Sequence, residues 1–154
     1  MYQHIMVPVD GSKLAECVLP HMATITAGCQ VSKVTFVRVV KPFHLYHGEE
    51  YHIPQKERQR LEADSMNIAL SYLEQLTAPL KNNGSLIQYQ VLHGNVAETL
   101  TDFASKNKVD LIIISTHGHS GVSRLFLGSV AERILRSASV PVLMVRAPGC
   151  TPGN

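Results

Sequence analysis

Apolar and polar positions along this chain alternate between two spacings. A short apolar run, His4 to Val9, stops at Asp10-Gly11-Ser12 and reads as a strand ending in a turn. Leu14, Val18, Met22 and Ile25 then recur every three or four residues. That spacing predicts a helix with Ser12 as its N-cap and Gly28 as its stop. Pro20 inside it predicts a kink, because proline lacks a donor and clashes with the preceding turn. Val31 to Val40 is rich in β-branched residues and predicts a second strand, whereas Lys41 to Pro54 has no clear period. Leu61, Ile68, Tyr72, Leu76 and Leu80 form one stripe of a helix over Gln55 to Asn83, closed by Asn83-Gly84 and bent or ended early by Pro79. Leu86 to Leu92 predicts the third strand. Asn95 and Glu98 are spaced as a capping box ahead of a third helix carrying Val96, Leu100, Phe103 and Ala104. Val109 to Ile114 is almost unbroken in its apolarity, as expected of a strand covered on both faces. A Gly/Ser/His-rich loop, Ser115 to Ser129, leads into a short helix, Ser129 to Ala138, and a last strand, Pro141 to Val145.

The order is strand, helix, strand, helix to a fifth strand. Strict alternation implies a parallel sheet with helices on both faces and right-handed crossovers. Ligands of such sheets bind beyond the carboxyl ends of the strands, where the strand order reverses. That places the chemistry after the first, second and fourth strands, at Pro8-Val9-Asp10-Gly11, at Val39-Val40, and in Ser115 to Ser129.

A length of 154 residues suits one domain, read here as residues 1–147 with a frayed Pro/Gly-rich tail over 148–154. With 45% apolar and 17% charged residues the chain can build a core, which excludes wholesale disorder. A net charge of +2, from 14 basic and 12 acidic residues, is too small to argue for nucleic acid or an anionic membrane. No run of about 18 apolar residues predicts a spanning helix, and MYQHIMVPVDG does not read as a signal peptide. Cys17, Cys29 and Cys150 are odd in number with no CxxC spacing, so reduced thiols in the cytoplasm are expected.

The loop after the fourth strand opens with small residues and closes with Gly128-Ser129 at a helix start. The first amides of a helix lack intrahelical partners, and the helix dipole adds roughly half a positive charge there. A phosphate is the natural ligand of such an end. Residue types alone leave two readings open: an anion site, or an ordinary turn with an N-cap. Neither GxxxxGK[ST] nor GxGxxG is present.

VPVDGS, VRVV, HGNVAETL, VDLIIISTHG and GVSRLFLGSVAERILRSASVPVLMVR together resemble the universal stress protein family over essentially the whole chain. The resemblance implies a three-layer α/β sandwich with a five-stranded parallel sheet of order 3-2-1-4-5. It also implies a stress-response protein that binds ATP or another adenine nucleotide, with or without Mg²⁺, and dimerises through the last strand, Pro141 to Val145. The nucleotide-binding branch carries Gly, two residues, Gly, nine residues, then Gly-Ser/Thr. Gly118, nine residues and Gly128-Ser129 keep the second half, while Ser115 stands where the first glycine would be. Carried over position by position, Pro8, Val9 and Asp10 line the adenine and ribose, and Val39 packs on the adenine. Ile114, Ser115, His117 and Gly118 flank ribose and phosphate. Gly128, Ser129 and Val130 hold phosphate through their amides.

The remaining candidates are weaker. His117 and His119 flank Gly118 and can donate to phosphate. Arg124 is within the same loop. Glu132 and Arg136 read as a helix pair four residues apart. His44, His47 and His52 with Glu49 and Glu50 are acceptable metal-ligand types but match no closed site, and a solvated loop is the expectation. The run Lys56 to Arg60 reads as a solvated face. Asp10 is the one evident metal-binding carboxylate, so any hydrolysis is expected to be slow. The alternatives to a nucleotide-binding signalling module are a dimeric interaction module acting only through protein partners, its pocket lost at Ser115, or a slow ATPase. No nucleic acid or membrane partner is expected.

Overall fold

The computed structural model describes residues 2–42, 54–80, 84–116 and 128–146. Its strands are β1 (His4–Pro8), β2 (Lys33–Val40), β3 (Leu86–His93), β4 (Leu111–Ser115) and β5 (Val142–Val145). Its helices are α1 (Leu19–Cys29), α2 (Gln55–Thr77), α3 (Val96–Lys106) and α4 (Ser129–Ser137), with single 3-10 turns at Ala15–Val18 and Ala78–Leu80. All pairings are parallel and the strand order is β3-β2-β1-β4-β5, as the resemblance implies.

Alternating side chains split the core in two. Ile5, Val7 and Val9 of the first strand and its exit, with Val34 and Phe36 of β2 and Leu111 and Ile113 of β4, pack under Met22 of α1 and Leu73 of α2. Met6, Val37, Ile112 and Ile114 face the other way, onto Leu100 and Phe103 of α3 and Ala131 and Ile134 of α4. Every residue of β1 and β4 is buried, which accounts for their near-continuous apolar sequences.

Several local expectations change. Pro20 causes no kink, because α1 begins at Leu19 and proline occupies its first turn, where no donor is needed. Ser12 is not the cap of α1; it lies ahead of the 3-10 turn, whose N-cap is Leu14, and its Oγ accepts from the Ala15 N–H at 3.1 Å. Gly28 lies inside α1. The helix ends at Gln30, which takes the left-handed conformation (φ 51°), and the Val31 N–H reaches back to the Thr26 carbonyl at 3.1 Å. Of the α2 stripe only Tyr72, Leu76 and Leu80 join the core; Leu61 and Ile68 are exposed, since the sheet lies under the C-terminal half of the helix, where Ala69, Leu73 and Thr77 are buried. The capping box at Asn95 and Glu98 does not form. Asn95 makes no side-chain cap and offers its carbonyl to the Thr99 N–H at 2.8 Å.

The first residue of β1 is a buried polar group. His4 is 7% exposed. Its Nδ1 lies 3.0 Å from the Asn107 carbonyl, which only accepts, so Nδ1 carries the proton. Nε2 then accepts from the Thr35 hydroxyl at 2.8 Å. Burial holds the His4 pKa below its usual value, and Lys33 acts in the same direction, against the Asn107 hydrogen bond and Asp110.

Candidate functional site

The strand order reverses around β1, which has β2 on one side and β4 on the other. The crevice beyond their carboxyl ends is where a parallel sheet of this kind receives ligands. Pro8 closes β1, with Val9 and Asp10 just beyond it. Pro8 is level with Val37, so Val39 stands two residues further out on β2. Ile114 and Ser115 close β4, aligned with Met144 and Val145.

Helix α4 is tied to this end of the sheet. Gly128 is its N-cap, and the Gly128 N–H donates to the Thr116 carbonyl at 2.8 Å. The Gly128 carbonyl accepts from the Glu132 N–H at 2.9 Å. Gly128 has φ −57° and ψ 138°, a conformation open to any residue, so what distinguishes glycine here is its missing side chain. Its amide is used within the protein. The N–H groups of Ser129, Val130 and Ala131 have no acceptor within the helix and lie at its positive end.

The sheet sorts the sequence-derived residues by face. Val39, Ile114 and Val130 pack with the α3/α4 core. Pro8, between Val7 and Val9, alternates onto that same face. Val9 belongs to the α1/α2 core, its N–H donating to the Val37 carbonyl at 3.0 Å. Ser115, 7% exposed, alternates with Ile114 and so turns from the α4 face towards the α1 side. The serine at the position of the motif's first glycine therefore directs its side chain away from the start of α4.

Asp10 sits in a tight turn. Its Oδ1 accepts from the Ser12 N–H at 2.9 Å and from the Ser12 hydroxyl at 2.6 Å. Gly11, between them, has φ +90°. Beside this turn stands a group that sequence reasoning missed. The Arg38 guanidinium carbon lies 5.3 Å from the centroid of the Tyr72 ring. The Tyr72 hydroxyl donates to Glu16 Oε1 at 3.4 Å, and Lys13 Nζ pairs with Glu16 Oε2 at 2.7 Å. Burial raises the Tyr72 pKa well above the usual phenol range. The Glu16 carboxylate and Asp10 add to the rise and Arg38 opposes it. The one signal for this group was Arg38 itself, a lone charge inside VTFVRVV.

A model of the universal stress protein family matches residues 1–146. The chain belongs to that family. Universal stress protein MJ0531 of Methanocaldococcus jannaschii is 30% identical over 149 residues, covering 96% of this chain and 84% of its own. The solved structure of MJ0577 superimposes with a TM-score of 0.81 at 25% identity, over 97% of this chain and 99% of that one. A universal stress protein family protein from Arabidopsis thaliana, solved with AMP bound, superimposes with a TM-score of 0.66 at 13% identity, over 96% of this chain and 93% of that one.

Several residues singled out from this universal stress protein sequence lie outside the described residues: His117, Gly118, His119, Arg124, the group His44, His47 and His52, Cys150 and the tail. Among the described residues no group of three or more His, Cys, Asp or Glu is placed to hold a metal. No described helix is long and apolar enough to cross a membrane. Cys17 and Cys29 pack half-buried against the α1/α2 core. Glu132 and Arg136 form the expected exposed pair, at 3.0 Å.

Proposed function

We propose that this chain binds an adenine nucleotide, ATP or AMP, at the carboxyl ends of β1, β2 and β4, and acts in stress response as a cytoplasmic homodimeric signalling module. One observation carries the reading: the amide-bearing start of α4 is pinned by the Gly128–Thr116 hydrogen bond at the point where the strand order reverses. Ser129 and Val130 offer amides to phosphate there. Pro8, Val9 and Val39 would border the base and ribose, and Ile114, Ser115, His117 and Gly118 would flank ribose and phosphate. Asp10 is a carboxylate with lone pairs suited to a sugar hydroxyl or a base amino group. The AMP carried by the Arabidopsis thaliana structure supports adenylate as the ligand class. Mg²⁺ would accompany the phosphates. Two copies would meet through Pro141–Val145, since β5 is an edge strand and a two-fold pairing satisfies its outer backbone groups.

The test is a thermal-shift titration with ATP, AMP and cyclic AMP, alongside analysis of nucleotide released when the purified protein is denatured. Concentration-dependent protection by an adenylate is the expected result. No shift with any of the three at millimolar concentration, and no released nucleotide, would favour the partner-only module instead.

A further inference from the structure

The group formed by Arg38, Tyr72 and Glu16 lies across the sheet from Val39 and Val130, yet it touches the turn that holds Asp10. Arg38 is flanked on β2 by Val37 and Val39, which face α3 and α4, so its side chain projects onto the α1/α2 side. A Cβ at Gly11 would fall 3.0 Å from Nη1, 3.1 Å from Cζ and 3.2 Å from Nη2. Three nearly equal distances mean that Gly11 meets the flat face of the guanidinium rather than its rim. The same guanidinium sits over the Tyr72 ring. Tyr72 is itself held by its hydroxyl on Glu16, a residue of the 3-10 turn whose first amide, that of Ala15, donates to Ser12. Asp10 is oriented by Ser12, immediately beyond Gly11.

We propose that Arg38 is a positioning residue, a planar support under Gly11 that sets the direction of the Asp10 carboxylate and thereby the recognition of the nucleoside part of the ligand. This rests on the adenylate reading of the site. Lysine cannot replace it: an ammonium has the charge but no plane to lie against a backbone and stack on a ring.

The experiment measures affinities of wild type, Arg38→Met and Arg38→Lys for ATP, dATP and ITP, with the melting temperature of each ligand-free protein. dATP and ITP each lack one group that Asp10 can accept from. The wild type is expected to prefer ATP over at least one of them. Both variants should lose about tenfold in ATP affinity and most of that preference, with ligand-free melting temperatures within a few degrees of wild type. Variants that keep the wild-type preference would overturn the role of Arg38. A wild type that binds ATP, dATP and ITP alike would remove Asp10 from recognition and overturn the inference while leaving nucleotide binding in place. A wild type that binds none of them would sink the nucleotide reading, and this inference with it.

Discussion

The backbone N–H of Gly128 donates to the carbonyl of Thr116 at 2.8 Å, so the helix that follows starts from the end of β4. This divides the amides of that turn between holding the fold and meeting a ligand. Because Gly128 adopts an ordinary φ of −57°, Gly128→Val keeps the backbone and adds bulk at the helix mouth. Ligand-free stability should stay close to wild type. At a hundredfold excess over Kd, wild type gains about 2.7 kcal/mol from a ligand. The variant should lose that gain in a thermal-shift titration with ATP. Protection retained in the variant would move the site elsewhere.

Ser115 directs its side chain to the α1 side of the sheet. Ser115→Gly should therefore leave adenylate affinity unchanged or slightly raised. Its cost in stability should be about 1–2.5 kcal/mol, from the greater freedom of glycine in a strand and the loss of the buried serine's own interaction. Calorimetric titration checks the first value and urea unfolding the second. A large loss of affinity would make the serine itself a ligand.

Gly11 is constrained twice, by a φ of +90° and by the guanidinium that crowds the space a Cβ would take. Gly11→Ala should cost about 1–3 kcal/mol, the range for a strained backbone position. Unfolding by urea reads this directly, and Gly84→Ala gives a comparison: Gly84 has φ +81° but open space around it, so its cost should be the smaller.

His4 provides a pH dependence. Its pKa in the folded protein lies below the unfolded value of 6.5, so between the two the unfolded chain binds more protons. Stability should be level above about pH 6.5 and fall as the pH drops through that window. Lys33 and Asp110 act on this ring with opposite effects, Lys33 lowering and Asp110 raising its pKa. His4→Gln should be less stable at pH 7.5 by about 1–3 kcal/mol, and its melting temperature should fall less between pH 7 and pH 5.5. An unchanged slope would assign the dependence to other groups.

The two halves of α2 should respond differently to truncation. Leu73 is fully buried, and Leu73→Ala should cost about 2–5 kcal/mol. Ile68 is 62% exposed, and Ile68→Ala should change stability by less than about 0.5 kcal/mol. Denaturant midpoints of the two variants check the contrast.

Where a segment packs on both sides, its residues said so. β1 and β4 were readable as strands because both are covered and, His4 and Ser115 apart, wholly apolar, and Leu100 and Phe103 of α3 kept their helical spacing because both are buried. Helix ends were harder. Gly28 looked like a stop, yet α1 closes on Gln30, because the backbone hydrogen bonds of the last turn decided the end. Leu61 and Ile68 share the period of the core stripe, but whether a face is covered depends on how far the sheet extends beneath it. At the site, Asp10 and Gly128 were visible from the turn and helix signals around them. Arg38, Tyr72 and Glu16 were not, because three distant segments meet there and no local spacing records such a meeting.

The placement of β1 sets the timetable of folding. The first strand made is the middle one of the sheet, and 106 residues separate His4 from Asp110, whose carboxylate holds its amide. A nascent chain that has passed only β2 and β3 has one flank of β1 still bare, and that row of unpaired N–H and C=O groups stays without a neighbour until β4 leaves the ribosome. Truncation before Leu111, which removes β4, should thus yield insoluble material rather than a smaller folded domain.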